Sequence, residues 1–371
     1  MKNTLEISPK DMINAFLLFF VITTCQTGVG IQGFQRLIYA DAKHDAWISV
    51  ILAGLSSHII VFFMIKTLEL YGSNDLYGIH QDLFGKHLGN LLNFIYILYC
   101  SVAFFLILEN YIEVISTWVF PRLNPKFISI SLLLLVIYTF LGGLRVIVGV
   151  SFFSFLLGLW LLPVLIFPLK FSNIEYLLPI LDTDIISILK GAQSMTFTII
   201  GFEIINIIYP FVKEKDKVKR HVHLGLLVTS FIYLTVMLIT LTYFSGEQLA
   251  KTIWATLSLF SIIRLPFIER IEFITICFWL IIILPNLCFY LWAAYRGSIR
   301  LFNVSSKKFV WIFSTIIFIF SLFVQTRIQI NTYTTYLSKV AFILVFIYPV
   351  VLYILALMKK KFSGKYGEKN E

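Results

Sequence analysis

Two short stretches of the sequence combine glycines with polar residues inside long apolar runs. The first extends from Thr23 to Gly33 and has three glycines within six residues. The second extends from Thr196 to Glu203 and has one glycine and one carboxylate. Glycine costs about 1 kcal/mol relative to alanine in a helix interior, so both stretches favour local unwinding. Backbone N–H and C=O groups freed by unwinding must be satisfied by protein, water or a ligand, so a broken helix in a membrane lines a cavity.

Each of these candidates also has a purely structural interpretation. Small residues around Gly28 would let another helix approach closely. A carboxylate at mid-depth costs at least about 2.5 kcal/mol on membrane-insertion scales and usually marks function, but Glu203 would also serve to cap polar backbone. A further candidate is Pro285 with Asn286, where proline removes a helical hydrogen bond and asparagine supplies a donor and an acceptor. A simple kink is the alternative there.

No motif for catalysis or metal binding accompanies these stretches. The sequence lacks Gly-x-Ser-x-Gly, His-Glu-x-x-His and Gly-x-x-x-x-Gly-Lys-Ser/Thr, and its six histidines show no ligand spacing with acids or cysteines. We therefore expect no enzyme activity, no catalytic residue, no metal and no cofactor. No basic stripe with interleaved aromatics lies outside the apolar runs, so nucleic acid is not an expected partner.

Composition predicts the elements that position these residues. Of 371 residues, 59% are hydrophobic and 13% are charged, whereas soluble chains average about 45–50% and about 25%. Together with a mean hydropathy of +0.88, this predicts an all-α polytopic protein of the lipid bilayer. Unbroken apolar runs such as 130–141 do not alternate as the strands of an outer-membrane barrel would.

We predict one integral membrane domain over residues 1–371, with an N-terminal segment 1–11, a ten-helix bundle over 12–358 and a basic tail 359–371. The first apolar run lacks a signal-peptide cleavage pattern and is taken as a retained span. Nineteen of the 30 Lys and Arg residues fall on the side that holds both termini, which predicts cytoplasmic termini. The predicted spans are 12–33, 46–66, 88–113, 127–143, 146–168, 187–210, 222–244, 271–296, 309–325 and 333–358.

The two glycine-containing stretches fall in the first and sixth predicted spans. That separation of five spans is expected if two five-helix halves form an inverted repeat. In the third span, Glu109 and Glu113 lie one helical turn apart. Counted along the helix they reach the outer surface, so we expect both to be solvated rim residues.

These features resemble a known superfamily. Ten spans with breaks at Thr27–Ile31 (TGVGI) and Ile200–Glu203 (IGFE) resemble the amino acid–polyamine–organocation transporters, which share the inverted-repeat fold of bacterial leucine transporters. Within that superfamily, Lys251–Phe260 (KTIWATLSLF) and Phe267–Glu272 (FIERIE) resemble the outer loop between spans 7 and 8 of spore germinant receptor B subunits. The resemblance extends over about residues 8–360.

The resemblance implies a leucine-transporter-like fold with broken helices 1 and 6, in the inner membrane of the bacterial spore. It implies a nutrient germinant, commonly an amino acid, bound at mid-membrane. It also implies partners, an A subunit and a lipoprotein C subunit, with a signal passed to the A subunit that starts ion and dipicolinate release. The implied ligand-binding residues are Thr27, Gly28, Gly30, Val102, Phe105, Ile200, Gly201, Glu203, Pro285 and Asn286.

The implied pocket has two features that bear on the ligand. Val102, Phe105 and Ile200 would surround an apolar side chain. Pro285 and Asn286 stand where relatives carry short hydroxyl residues, which favours a ligand other than alanine or a more polar one. A second function uses the same residues: a secondary transporter of amino acids or amines, with Glu203 coupling a proton.

Overall fold

The computed structural model describes residues 7–264, 266, 269–324 and 326–367. Outside these lie residues 1–6 and 368–371 of the predicted terminal segments, position 265, Phe267 and Ile268 of the outer-loop motif, and position 325 at the end of the ninth predicted span. The described chain is all-helical, with 83% of residues in helices. The α-helices are α1 Leu17–Gln26, α2 Phe34–Ala42, α3 Ala46–Tyr71, α4 Leu76–Trp118, α5 Pro125–Leu141, α6 Leu144–Gly158, α7 Leu161–Val164, α8 Ile185–Ser194, α9 Thr196–Ile199, α10 Ile205–Ile208, α11 Val218–Tyr243, α12 Gly246–Lys251, α13 Ala255–Ser261, α14 Ile271–Phe302, α15 Ser306–Ser321, α16 Arg327–Ala341 and α17 Tyr348–Gly367.

Several of these elements have the length and apolarity of membrane spans. Three shorter apolar segments, Leu17–Gln26, Pro125–Leu141 and Phe202–Phe211, accompany six long ones in the described chain. The protein is therefore a helical integral membrane protein. The six long segments are Phe34–Tyr71, Leu76–Trp118, Leu144–Phe171, Lys215–Tyr243, Ile271–Phe302 and Arg327–Lys361.

Every predicted span overlaps helical segments, but several bounds differ, among them the end of the first span and the start of the third. The first span was expected to end at residue 33, whereas the chain resumes as α2 and reaches Ala42. Polar residues of α2 made the apolar run look finished, yet Gln35 is buried inside the bundle. The helix of the third span begins at Leu76, and a kink at Gly85, where φ is +77°, separates its first turns from the rest.

The core of the bundle is built around α1 and α14. Helix α1 packs against α11, α6 and α14, and α14 runs along α4. Outside the first break, α2 packs against α8, so the outer halves of the two interrupted segments are neighbours. This packing brings both glycine-containing stretches to the centre of the molecule.

The start of α1 is tied to the chain that follows α10. The Ile13 N–H donates to the Phe211 carbonyl at 2.8 Å, and the Lys213 N–H donates to the Ile13 carbonyl at 3.0 Å. The Ala15 N–H, one of the amides before the helix that lack an intrahelical partner, donates to Glu214 Oε2 at 2.9 Å. This hydrogen bond lowers the pKa of the Glu214 carboxyl below its ordinary value of 4.5.

We expect Glu214→Gln to lower the melting temperature of the purified protein at pH 7, because a neutral amide accepts more weakly from the Ala15 N–H. Since the folded-state pKa is depressed, the contribution of the carboxylate is complete above pH 4.5 and is lost as the pH falls through the folded-state value. Thermal unfolding measured across pH should show the two proteins converging in acid. A difference that persists unchanged at the lowest pH would contradict this origin.

Candidate ligand site at the two helix breaks

The first break lies between α1 and α2. Helix α1 ends at Gln26, Gly28 is extended with φ −73° and ψ −152°, and a 3₁₀ turn over Val29–Gln32 leads into α2. A Cβ on Gly30 would lie 2.8 Å from the Thr198 Cα. Glycine at this position thus permits the close approach of the two interrupted segments.

The second break lies between α9 and the 3₁₀ turn Phe202–Ile204. Ile200 is extended, and Gly201 has φ +119° and ψ −25°, in the region that favours glycine. A Cβ on Gly201 would also collide with the backbone carbonyl of Cys25 in α1. Conformation and contact therefore both require glycine, and the contact places the second break directly against the first.

Side chains replace the helical hydrogen bonds that the breaks remove. Gln26 Nε2 donates to the Ile199 carbonyl at 2.7 Å. The Tyr233 hydroxyl lies within hydrogen-bond distance of the carbonyls of Gln26, at 2.8 Å, and Thr198, at 3.1 Å. An unsatisfied backbone group in hydrocarbon costs several kcal/mol, so these contacts hold the broken segments together.

Asn286 caps the first break from α14. Its Nδ2 donates to the Cys25 carbonyl at 2.8 Å, and a Cβ on Gly28 would lie 2.8 Å from the same nitrogen. Two turns before it on the same helix face, Trp279 Nε1 donates to the Gly28 carbonyl at 3.3 Å. The Asn286 side chain is 2% exposed, and its Oδ1 has no hydrogen-bond partner within the described chain.

Glu203 satisfies the break on which it lies. Its Oε2 accepts from the Gly201 N–H at 2.6 Å, and its Oε1 accepts from the hydroxyls of Tyr99, at 2.7 Å, and Tyr290, at 2.9 Å. The carboxylate is thus held by three donors, and no salt bridge to it occurs among the described residues. The geometry matches the capping interpretation, because the carboxylate accepts from an N–H that the break has freed.

A small cavity lies between the breaks. Its volume is about 10 Å³, at the lower limit for a single water molecule. Four of the expected ligand residues line it, namely Gly28, Gly30, Ile200 and Asn286. Gly201 and Glu203 lie beside it through their contacts with Cys25 and Tyr290.

The structure does not bring Val102 and Phe105 to this cavity. Both line an apolar groove of about 660 Å³ between α4, α15 and α16, and Val102 is 43% exposed. Helical register is the reason: Tyr99 and Ala103, four residues apart, face the breaks, so positions 102 and 105 project elsewhere.

Thr27 and Pro285 also occupy other surroundings. Thr27 lines a separate cavity of about 70 Å³ between α1, α6 and α14. Pro285 lies inside α14, where it cannot donate to the Ile281 carbonyl one turn earlier. Ser154 Oγ in α6 donates to that carbonyl instead, at 2.5 Å, so the proline has a structural explanation.

The expectation of two solvated carboxylates at the outer rim was wrong. Glu109 is 4% exposed because α4 continues past it to Trp118 and α16 packs alongside. Glu113 is ion-paired with Arg327, its Oε2 lying 2.5 Å from Nη1.

The outer-loop motif packs directly on the first break. Thr256 in α13 donates its hydroxyl to the Ile31 carbonyl at 2.6 Å and accepts from Gln35 Nε2 at 2.6 Å. A Cβ on Gly33 would collide with the Ile253 carbonyl. The outer loop therefore contacts the first break directly and helps to hold it in place.

Sequence reasoning missed the tyrosines that support the breaks. Tyr290 lies one turn beyond Asn286, a spacing that places both on one helix face, and this signal was available. Tyr99 and Tyr233 lie within apolar runs, where nothing local distinguishes them from core residues.

Fold and site together define a helical integral membrane protein with two interrupted segments that meet inside the bundle. Comparison with known sequences specifies this class further. Residues 12–330 match the family model described as spore germination protein. The chain therefore belongs to the spore germination protein family, which confirms the family expected from the sequence, the B subunits of spore germinant receptors. This is not an enzyme family.

Individual relatives align over nearly their whole length. Spore germination protein GerQB of Bacillus cereus is 35% identical over 96% of this chain and 99% of its own. Spore germination protein A2 of Bacillus subtilis is 25% identical over 95% of this chain and 98% of its own. Spore germination protein B2 of the same organism is 22% identical, over 92% and 94% respectively.

We expect Tyr99→Phe to lower the free energy of unfolding by about 1–3 kcal/mol, because it leaves the buried Glu203 carboxylate with one donor fewer. In a Glu203→Gln background the same change should cost less, since the two groups interact directly. Chemical unfolding in detergent would measure this double-mutant cycle. Tyr138→Phe is the control, because Tyr138 is 80% exposed; equal effects of Tyr99→Phe in both backgrounds would contradict the contact.

Proposed function

We propose that this chain is the germinant-sensing subunit of a spore germination receptor. It binds a small molecule, an amino acid, between the two breaks at mid-membrane and signals to an A subunit and a lipoprotein C subunit. The observation that carries the proposal is the direct contact of the breaks, with Cys25 against Gly201 and Gly30 against Thr198. Family membership supports the role in germination.

The chemistry of the cavity favours a ligand without net charge. Its lining combines backbone of the breaks with the Asn286 amide, the Tyr290 hydroxyl and apolar side chains, and contains no Lys, Arg, Asp or Glu. Unwound carbonyls accept from an ammonium group and amide N–H groups donate to a carboxylate, so a zwitterion needs no charged side chain. Asn286, with its free Oδ1, is the group best placed to select a polar ligand.

Ligand binding must open this site, because the cavity of about 10 Å³ is smaller than any amino acid. A ligand that binds an open arrangement better than the closed one shifts the population toward it. Movement of Asn286 or Tyr233 away from the break carbonyls would release the two segments from one another. That release is the signal passed to the partner subunits.

We further propose ten membrane crossings in two five-helix halves related by an inverted repeat, as one domain over residues 1–371. Three pairs of packed helices support this, because each has a counterpart in which the two halves are interchanged. Helix α3 packs on α8, and its counterpart α11 packs on α1. Helix α6 packs on α14 as α16 packs on α4, and α5 packs on α14 as α15 packs on α4. Such matched pairs are expected of a leucine-transporter-like fold.

We place the protein in the inner membrane of the spore with both termini on the core side. The bias of Lys and Arg toward the segments on that side supports the orientation. The basic residues Lys359, Lys360 and Lys361 would then face the anionic inner leaflet.

We expect Gly28→Leu to abolish the response to the receptor's germinant, and Gly28→Ala to reduce it, because any side chain there displaces the Asn286 amide. The test uses spores whose only receptor contains this chain with its A and C subunits. Dipicolinate release is recorded against single amino acids, and immunoblots check accumulation of the protein. Gly149→Leu is the control, since no atom lies within 4 Å of a Cβ at Gly149. A normal response from an accumulated Gly28→Leu protein would contradict the pocket.

A secondary transporter of amino acids or amines is the alternative, favoured by one observation. Glu203 is a buried carboxylate linked to two tyrosine hydroxyls, a group able to couple proton movement to transport. Uptake of a labelled amino acid into lipid vesicles that contain the purified chain alone would distinguish the transporter from the sensor. Binding of a labelled amino acid without accumulation supports the sensor, whereas accumulation that Glu203→Gln abolishes supports the transporter.

A further inference from the structure

A second cavity lies outward of the first break, toward the outer loop. Its volume is about 60 Å³, several times the space that one water molecule needs. It is enclosed by α2, α4 and α16, with Trp254 from the outer-loop motif on one side and Leu37, which is half exposed, at the rim. Gly30 and Thr198 line its inner end and also line the cavity between the breaks, so the two cavities are adjacent.

Gln32 lines the outer cavity with an amide that the fold does not use. The side chain is 0% exposed, and neither Nε2 nor Oε1 has a hydrogen-bond partner within the described part of the chain. Burial of an unpaired amide is unfavourable, and a methionine of similar shape would avoid the penalty. Three residues later, Gln35 is equally buried, but its Nε2 donates to Thr256 at 2.6 Å. The fold thus accounts for the NH₂ group of Gln35 and not for that of Gln32.

Arg327 contributes a second free donor to the same cavity. Its Nη1 pairs with Glu113 at 2.5 Å, and its guanidinium lies 5.2 Å from the centre of the Trp254 ring. Its Nε is buried and has no hydrogen-bond partner in the described chain. Asn110, which hydrogen-bonds to Thr334 at 3.2 Å, completes a polar wall. The wall of the cavity therefore contains two buried N–H groups without a hydrogen-bond partner among the described residues, Gln32 Nε2 and Arg327 Nε, and one such acceptor, Gln32 Oε1.

We propose that this outer cavity is a binding site for a zwitterionic amino acid. The ligand carboxylate accepts from Arg327 Nε and Gln32 Nε2, and the ligand ammonium donates to Gln32 Oε1. The ion pair of Arg327 with Glu113 keeps the site close to neutral, so a zwitterion fits it better than a net anion or a net cation. The inference rests on the proposed sensing function and deepens it by naming a second place, where the ligand binds before it reaches the breaks.

The test measures binding to the full-length chain in lipid nanodiscs by ligand-induced thermal stabilisation. The probes are the common L-amino acids and, for each one that stabilises the protein, its amide and its des-amino acid. We expect at least one amino acid to bind, and each truncated analogue to bind at least about tenfold more weakly, which corresponds to 1.4 kcal/mol. Binding of the amide as tight as that of the parent amino acid, or stabilisation by none of the amino acids, would overturn the proposal.

Variants then separate the outer site from the inner pocket and from folding defects. Gln32→Met should leave the melting temperature of the free protein unchanged or raised, yet weaken amino acid binding at least about tenfold. The control Gln35→Met should lower that melting temperature and preserve the affinity. Unchanged affinity in Gln32→Met, with binding lost in Gly28→Leu, refutes the outer site and leaves the inner pocket standing. The reverse pattern supports the outer site and refutes the pocket between the breaks.

Discussion

The constraint on which the structure depends is that backbone polar groups in a membrane must be satisfied. Two segments of this chain leave the helical hydrogen-bond pattern inside the bundle, at Gly28 and Gly201. Side chains satisfy the freed groups: Tyr233 from α11, Asn286 from α14 and Glu203 from the second break itself. Removal of any one of them would leave a buried polar group unpaired, at a cost of about 1–3 kcal/mol.

That requirement also explains why such a site suits detection. A break held by side chains has two ways to satisfy its carbonyls and amides, through those side chains or through a ligand that brings its own donors and acceptors. The difference in free energy between the two arrangements then depends on a few hydrogen bonds, each contributing about 1 kcal/mol net. A small solute is sufficient to shift such a balance. The outer-loop helix α13 is hydrogen-bonded to the Ile31 carbonyl, so a change at the first break would also move this helix.

Sequence reasoning located the breaks and two of the side chains that satisfy them, Asn286 and Glu203, but not the tyrosines that do so. Glycine content predicted both interruptions because the cost of glycine in a helix is local and visible in a single chain. Placement of Val102 and Phe105 failed because it depended on the rotation of α4 about its axis, which the kink at Gly85 and the packing on α14 determine. Glu109 was misplaced for a related reason, since its burial depends on how α16 packs against α4. Tyr233 is separated by more than 200 residues from the carbonyl of Gln26 that it serves, and no local pattern encodes such a contact.

Amide hydrogen exchange tests the central claim most directly. The receptor, purified with and without the amino acid that triggers germination, is compared in the peptides covering residues 27–33 and 198–203. Binding between the breaks predicts that exchange changes in both segments together and at the same ligand concentration. Exchange that is unchanged in both, while other regions respond to the ligand, would show that the germinant does not act there.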